Sequence, residues 1–340
     1  EDHDHGDAPK VNSLKDISVL DTCVTVVDAR NFFETFQTSE IVSDRYSGED
    51  TEEDDRSLTE LMCDQIEFAN VVIINKVELV SQDHLNKIKG TIKMLNPDAE
   101  ILESSYSKID LKKILNTKKF DFDQASRAPG WLKSLQEELK PETEEYGVSS
   151  FIYRARKPMD PSKLWDLLST RFFFQERGEE DEEEDEEMDE EEEAEDEDGC
   201  DEGEENNRNY TDLSSLNRGD SFSCVLRSKG VFWIRGRDSV IAEFSQAGVV
   251  ATLSCSGPWF GEIPEEEWGS EEVKLAIKKD FTEETQDRRQ EIVFIGQFKD
   301  GDREFIRKTL DDCLVDMDSP VSENDPFSKW PTAKQFMEEQ

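Results

Sequence analysis

Short apolar runs alternate with amphipathic segments over the first third of the chain. Residues 71–74 are continuously apolar, which is typical of a strand buried on both faces of a parallel sheet. Helical spacing of apolar residues precedes this run over 57–69, and Ser81 can cap a second helix after it. Further elements are predicted as a buried strand at 20–27, a short strand at 99–102 and a helix at 108–116. The alternation predicts a parallel sheet with helices on its faces.

A second unit with a different pattern is predicted from residue 147 onward. Its expected elements are strands at 148–156, 224–235, 240–244, 249–254 and 291–298, and helices at 161–170 and 302–314. Strands that follow one another along the chain favour an α+β domain with a largely antiparallel sheet. The predicted boundaries are 1–18 (acidic leader), 19–126 (first domain), 127–146 (linker with a helical piece at 130–139), 147–316 (second domain) and 317–340 (loose tail).

Acidic residues dominate the charge of the 340-residue chain, which carries 83 Asp and Glu against 40 Lys and Arg, a net charge of −43. About half of that excess comes from residues 179–205, of which 22 are acidic. This tract, within a predicted insertion at about 175–220, has the composition of disorder and is either a solvated loop, a weak cation buffer or a docking segment for a basic partner. A strongly acidic chain repels nucleic acids and anionic membrane surfaces, so neither is an expected partner.

The six cysteines are scattered and form no Cys-x-x-Cys pair. Together with the charged, non-secretory character of the chain, this favours reduced thiols and a cytoplasmic location. No apolar run approaches the roughly 18 residues that a membrane-spanning helix requires.

The sequence Asn75-Lys76-Val77-Glu78 directly follows the predicted buried strand at 71–74. Ligands of open α/β sheets bind beyond the carboxyl ends of the strands. The four residues resemble the N-K-x-D motif that guanine-nucleotide proteins place at this point, with Glu78 in place of the Asp. The resemblance implies an acidic side chain that accepts hydrogen bonds from guanine N1–H and N2–H, an Asn that braces the loop and a Lys stem that covers the base. The alternative is a solvated turn between a strand and a helix.

Ser104 and Ser105 follow the next predicted strand in the same way. Nucleotide-binding proteins often have a serine-containing loop here whose backbone N–H meets guanine O6, although on these residues alone an ordinary turn is the default interpretation. His3 and His5, two residues apart in the acidic leader, form a candidate zinc pair or simply belong to a solvated segment. The remaining histidine, His84, is expected on a helix surface.

Seven ordered segments resemble the CobW-like P-loop GTPases, in particular their zinc metallochaperone branch. They lie at 21–29, 64–76, 147–156, 225–233, 244–248, 257–259 and 287–296. The resemblance implies a GTPase domain followed by a CobW C-terminal domain. It implies GTP, Mg²⁺ and Zn²⁺ as ligands, and delivery of metal to a client metalloprotein. It assigns guanine binding to Asn75, Lys76 and Glu78, with Ser104 and Ser105, although Glu78 stands where the family has Asp.

The chain contains no G-x-x-x-x-G-K-[ST] sequence, the loop that cradles phosphates and supplies the Mg²⁺-binding hydroxyl. The family's Cys-x-Cys-Cys metal motif is not found in the sequence either. We therefore expect an amino-terminally truncated GTPase domain, without GTP hydrolysis by this chain alone. The alternative is a nucleotide-independent protein-interaction module that uses the C-terminal domain and the acidic tract. The sequence does not predict the oligomeric state.

Overall fold

The structure, a computed structural model, describes residues 18–42, 56–121, 147–174, 216–217, 219–322 and 324–338. The first described unit is a three-stranded parallel sheet with strand order β1-β2-β3. Its elements are β1 (Val24–Asp28), α1 (Phe32–Thr35), α2 (Leu58–Glu67), β2 (Val71–Asn75), α3 (Gln82–Leu95) and β3 (Glu100–Glu103). The predicted α/β alternation is confirmed.

Strand β2 lies in the centre of this sheet, and its first four residues are buried as the apolar run predicted. Strand β1 differs from the expected buried strand at 20–27, because it begins at Val24 and pairs with β2 alone among the described strands. Val24 and Val26 are exposed, while the residues between and after them face the core. Burial on one face gives the alternating pattern of an edge strand.

The two long helices begin at the predicted serines. Ser57 Oγ accepts a hydrogen bond from the Glu60 N–H, and Ser81 Oγ accepts one from the His84 N–H. Each serine thereby satisfies a backbone donor that the first helical turn leaves free. Asn96, which follows α3, donates its side-chain N–H groups to the carbonyls of Ile66, Glu67 and Ala69 and so fixes the end of α2.

The helix predicted at 108–116 is wrong. Only the short 3₁₀ turn Leu111–Lys113 forms there, and Asn116 and Lys118 adopt left-handed backbone angles. The carboxylate of Asp21 accepts hydrogen bonds from the backbone N–H groups of Thr117 and Lys118, both at 2.8 Å. This contact draws the segment back to the start of β1, which local helical spacing could not reveal.

The second described unit is built on a six-stranded sheet with strand order β4-β9-β6-β7-β8-β5. Its elements are β4 (Ser149–Ala155), α4 (Pro161–Ser169), β5 (Phe173–Phe174), β6 (Val225–Phe232), β7 (Val240–Ala247), β8 (Val250–Pro258), α5 (Glu271–Lys278), β9 (Gln290–Gly296), α6 (Asp302–Asp311) and α7 (Ala333–Glu338). All strand pairs are antiparallel except β5 with β8. The predicted α+β class is confirmed.

A continuous apolar core joins the two units. Val148, Ala247, Val293 and Ile295 of the second unit pack in the same cluster as the residues of the first sheet and its helices. Gly248, in the turn between β7 and β8, lies so close to α1 that an added Cβ would be 2.2 Å from the carbonyl oxygen of Phe36. The contact therefore requires glycine, whose left-handed φ of +59° is also unfavourable for other residues.

The segment expected to be a loose tail packs onto the second unit. Phe327 is 4% exposed and lies in the core cluster of that unit, with Trp330 packed against it. Arg237 donates from Nε to the Phe327 carbonyl and pairs with Asp325 at 2.9 Å. Sequence reasoning missed this contact because its partners lie about 90 residues apart.

Several predicted features lie outside the described residues: the leader with His3 and His5, the helical piece at 130–139, and the acidic tract at 179–205. Within the described ranges, no helix is long and apolar enough to cross a membrane.

Candidate functional site

The carboxyl ends of the three parallel strands bring the predicted guanine-binding residues to one edge of the sheet. Asp28, the last residue of β1, pairs in register with Asn75, the last residue of β2, and Ile74 pairs with Glu103 of β3. The loops that follow β2 and β3 therefore lie side by side, which is the usual position of a ligand site in a parallel sheet.

Asn75 joins the loop after β2 to the loop after β3. Its side-chain Nδ2 donates to Ser107 Oγ, and its Oδ1 accepts from the Ser107 N–H, both at 2.9 Å. Ser107 has a left-handed φ of +56°, so the paired hydrogen bonds hold a backbone conformation that serine seldom adopts. Asn75 thus joins the two loops through Ser107, a residue that sequence reasoning missed when it named Ser104 and Ser105.

Lys76 is held between the sheet and the loop that follows it. Its backbone is left-handed, with φ +62°, and its Nζ donates to Asp28 Oδ2 at 2.6 Å. Burial alone would raise the pKa of Asp28, but the hydrogen bond from Lys76 and that from the Arg30 N–H outweigh it and hold the pKa below its usual value. Asp28 stays ionised at neutral pH and positions the ammonium group, a role that the sequence alone had not assigned to it.

Glu78 lies in the 3₁₀ turn Val77–Leu79 that follows Lys76. Its side chain is exposed and makes no hydrogen bond or ion pair within the described part of the chain. A carboxylate without a protein partner, beside a braced loop, is able to accept hydrogen bonds from a ligand.

Ser104 and Ser105 differ in what they offer to a ligand. Ser104 is 3% exposed, its N–H donates to the Ile74 carbonyl, and its Oγ donates to the Lys108 carbonyl. Its polar groups are thus engaged in shaping the loop. The Ser105 carbonyl accepts from the Lys108 N–H, while the Ser105 N–H has no partner among the described residues. Of the two serines, Ser105 carries the donor that a carbonyl oxygen of a base could use.

Zinc ligands are not clustered in the described ranges, where no group of three His, Cys, Asp or Glu side chains is arranged to hold a metal ion. The thiolate is the form of cysteine that binds metals. Burial raises the pKa of both the Cys63 and the Cys224 thiols to about 12, so both remain protonated at neutral pH. His3 and His5 fall outside the described residues.

Two family comparisons match the two structural units. Residues 8–103 match the CobW/HypB/UreG nucleotide-binding domain, and residues 212–314 match the cobalamin synthesis protein cobW C-terminal domain. A curated relative, the zinc-regulated GTPase metalloprotein activator 1 of Dictyostelium discoideum, is 36% identical over 305 residues. That alignment covers 90% of this chain and 54% of the relative, so the chain spans about half the length of the protein it resembles.

Solved structures of the YjiA GTPase with bound Zn(II) are more distant. The E. coli protein is 15% identical and a triple mutant of YjiA is 14% identical, each matched over 87% of this chain and 62% of that chain with a TM-score of 0.31. Likeness at that level supports no further argument. From the two domain matches, their order along the chain and the curated relative, we conclude that the chain belongs to the CobW family, with a CobW/HypB/UreG nucleotide-binding domain followed by a CobW C-terminal domain.

Proposed function

We propose that this chain provides the guanine-recognition edge and the C-terminal domain of a GTP-dependent zinc metallochaperone. In the complete protein, GTP binding and hydrolysis would be coupled to delivery of zinc to a client metalloprotein in the cytoplasm. The observation that carries the proposal is the pair of hydrogen bonds by which Asn75 joins the loops after β2 and β3. The curated relative, a zinc-regulated GTPase metalloprotein activator, supports the assignment of zinc and of a client metalloprotein.

The roles of the edge residues follow from their chemistry. Glu78, exposed and unpaired among the described residues, accepts hydrogen bonds from guanine N1–H and N2–H, which adenine does not offer. Asn75 fixes the loop and Lys76 places its aliphatic stem against the base plane, while Asp28 holds its ammonium group. The Ser105 N–H is a donor for guanine O6. Rejection of adenine arises because its edge would leave these polar groups without partners.

Hydrolysis requires groups that these 340 residues do not contain. The sequence has no G-x-x-x-x-G-K-[ST] loop, which would hold the phosphates and supply a hydroxyl to Mg²⁺. We therefore expect the chain alone to recognise the base but to release no phosphate from GTP. In this proposal zinc is the cargo that the complete protein delivers. The five described cysteines are free thiols, which supports a reducing compartment such as the cytoplasm.

Guanine selectivity is tested by titrating the chain with GMP and with AMP while amide chemical shifts are followed by NMR. We expect GMP to bind at least about tenfold more tightly than AMP, a difference of about 1.4 kcal/mol. Glu78→Ala should remove this preference, and Glu78→Asp should retain it. Glu272→Ala, which removes an exposed carboxylate from the C-terminal domain, is the matched control. Equal binding of the two nucleotides, or full selectivity in Glu78→Ala, contradicts the assignment.

Phosphate release from GTP tests the second part of the proposal. The purified chain should give no turnover above the spontaneous rate, with and without Mg²⁺. Turnover comparable to that of a complete family GTPase would show that a phosphate site exists which the sequence does not reveal.

A further inference from the structure

A cavity of about 670 Å³ lies between the two domains, and none of the predicted guanine-binding residues lines it. One wall is formed by Phe33 of α1 and by His84 and Lys87 in the first turns of α3. The opposite wall is formed by the start of β6 and by the loop after β9, which contributes Gln297 and Lys299. Binding sites for small molecules commonly have volumes of about 300–1,000 Å³, so this cavity is large enough for one.

The charge of the cavity is opposite to that of the molecule. In a chain with 83 acidic residues, none of the described residues that line this cavity is an Asp or a Glu. Lys87 and Lys299, one from each domain, are exposed at its walls, and neither makes an ion pair within the described part of the chain. The Asp302 carboxylate accepts the Lys299 backbone N–H at 2.7 Å and attracts the Lys299 ammonium group as well, but it does not line the cavity. Two ammonium groups without an ion-pair partner among the described residues, in a concave region, attract an anion.

Apolar side chains form much of the remaining lining, beside the polar residues Gln37, Ser223 and Gln297. Phe33 of α1 and Phe36, the residue that follows α1, lie on one side, and Val225, Leu226 and Val249 lie on the other. The Phe33 ring meets the His84 ring edge to face, with centroids 5.3 Å apart. An apolar lining with a few polar groups is the usual composition of a site for a small organic molecule.

His84 adds an independent observation. Its Nε2 is shielded from solvent and has no hydrogen-bond partner among the described residues, contrary to the expected surface role. Buried polar atoms without partners are uncommon, because each loses its hydrogen bonds to water without replacement. The His84 Nε2 atom therefore lacks a hydrogen-bond partner at the cavity wall. A ligand atom, or a small movement of the ring, would provide one.

We propose that this interdomain cavity binds a small organic anion, with its apolar body against Phe33 and its carboxylate or phosphate between Lys87 and Lys299. Because the two lysines belong to different domains, the bound anion contacts both. The site is separate from the guanine edge and does not depend on the proposed nucleotide specificity. A failure of GMP selectivity would therefore leave this proposal unaffected, and the reverse is also true.

Titration with 8-anilinonaphthalene-1-sulfonate, an aromatic anion whose fluorescence rises on binding, tests the cavity in the full chain. We expect one saturable site, and a loss of affinity of at least about tenfold in the double variant Lys87→Glu/Lys299→Glu. Lys87→Gln/Lys299→Gln, which only neutralises the charges, should give a smaller loss. Lys112→Glu/Lys279→Glu is the matched control, because it reverses one exposed lysine in each domain outside the cavity.

Competition identifies the anion class and separates it from plain apolar binding. 2-Naphthoate and 2-naphthyl phosphate should displace the dye, and the better competitor identifies the preferred headgroup. Uncharged 2-naphthol and inorganic phosphate should each compete at least about tenfold less well, since each lacks one half of the ligand. Equal dye affinity in the chain and in Lys87→Glu/Lys299→Glu, or displacement by 2-naphthol as strong as by the two anions, would overturn the proposal.

Discussion

Arg227 of β6 donates from Nε to an Oε1 of Glu67, at the end of α2, across the boundary between the two domains at 3.0 Å. Both side chains are almost fully buried, and two further groups complete the cluster. Arg227 also donates to Asp64 at 3.1 Å, and Lys229 Nζ donates to the second Glu67 oxygen at 2.9 Å. A carboxylate buried at a domain boundary is thus matched by two cations from the other domain.

Removal of the Glu67 charge should destabilise the domain contact strongly. Glu67→Gln leaves the buried guanidinium with only the more exposed Asp64 as a charged partner, so we expect a loss of about 3 kcal/mol in the free energy of unfolding, measured in urea. The Asp64 side chain is 31% exposed, so Asp64→Asn should lower the free energy of unfolding by less than about 1 kcal/mol. Equal losses in the two variants would show that the buried Glu67 contributes no more to stability than the partly exposed Asp64.

Gly248 should not tolerate a side chain. In Gly248→Ala the new Cβ would overlap the Phe36 carbonyl oxygen, and the left-handed φ adds a penalty of about 1–2 kcal/mol. Gly147→Ala is the matched control, since Gly147 has φ +70° and open space around the added Cβ. We expect thermal unfolding of Gly248→Ala to begin at a lower temperature than that of Gly147→Ala. Equal unfolding midpoints in the two variants would mean that α1 can move away from the turn and make room for the added Cβ.

The ion pair of Lys76 with Asp28 should be visible as an acid-side pH dependence. The folded pKa of Asp28 lies below its ordinary value of 3.8, so the pair stabilises the folded state above about pH 4 and is lost as the pH falls through the folded pKa. Lys76→Met should move the Asp28 pKa upward, as measured by NMR titration of the carboxyl carbon. Lys112→Met should leave it unchanged, and an unshifted Asp28 in Lys76→Met would contradict the contact.

The packed carboxyl-terminal segment should stabilise the C-terminal domain. Phe327→Ala removes a core side chain and is expected to cost about 3–5 kcal/mol in the free energy of unfolding. It should also make the segment sensitive to limited proteolysis. Lys329→Ala, two residues away and exposed, should be neutral within about 0.5 kcal/mol. Wild-type stability in Phe327→Ala would mean that the segment is only loosely attached.

Local patterns predicted the elements whose partners lie nearby in sequence. The apolar run at 71–74 gave β2, and the serines at positions 57 and 81 cap α2 and α3 as expected. The helix expected at 108–116 failed because the Asp21 carboxylate, almost 100 residues away, binds the backbone at Thr117 and Lys118. The hydrogen bonds of one distant side chain determined the path of the segment against its local spacing.

The candidate site divides in the same way. The position of Asn75, Lys76 and Glu78 after a buried strand, and of Ser104 and Ser105 after the next, could be predicted because parallel strands end at one edge. The sequence could not predict that Asn75 binds Ser107 or that Asp28 holds Lys76. These contacts depend on left-handed backbone angles at Ser107 and Lys76, and neither residue type favours such angles.

The sequence by itself determined most of the order of elements, the two fold classes and the sheet edge at which Asn75, Lys76 and Glu78 lie, because these depend on periodicity, capping and strand direction. Only the tertiary structure decided how the domains meet, which carboxylate faces Arg227, where the final segment packs and that a cavity with Lys87 and Lys299 in its walls lies between the domains. Those features depend on contacts between residues far apart in the chain. Burial also changes how much each charge in these contacts adds to or subtracts from the stability of the fold.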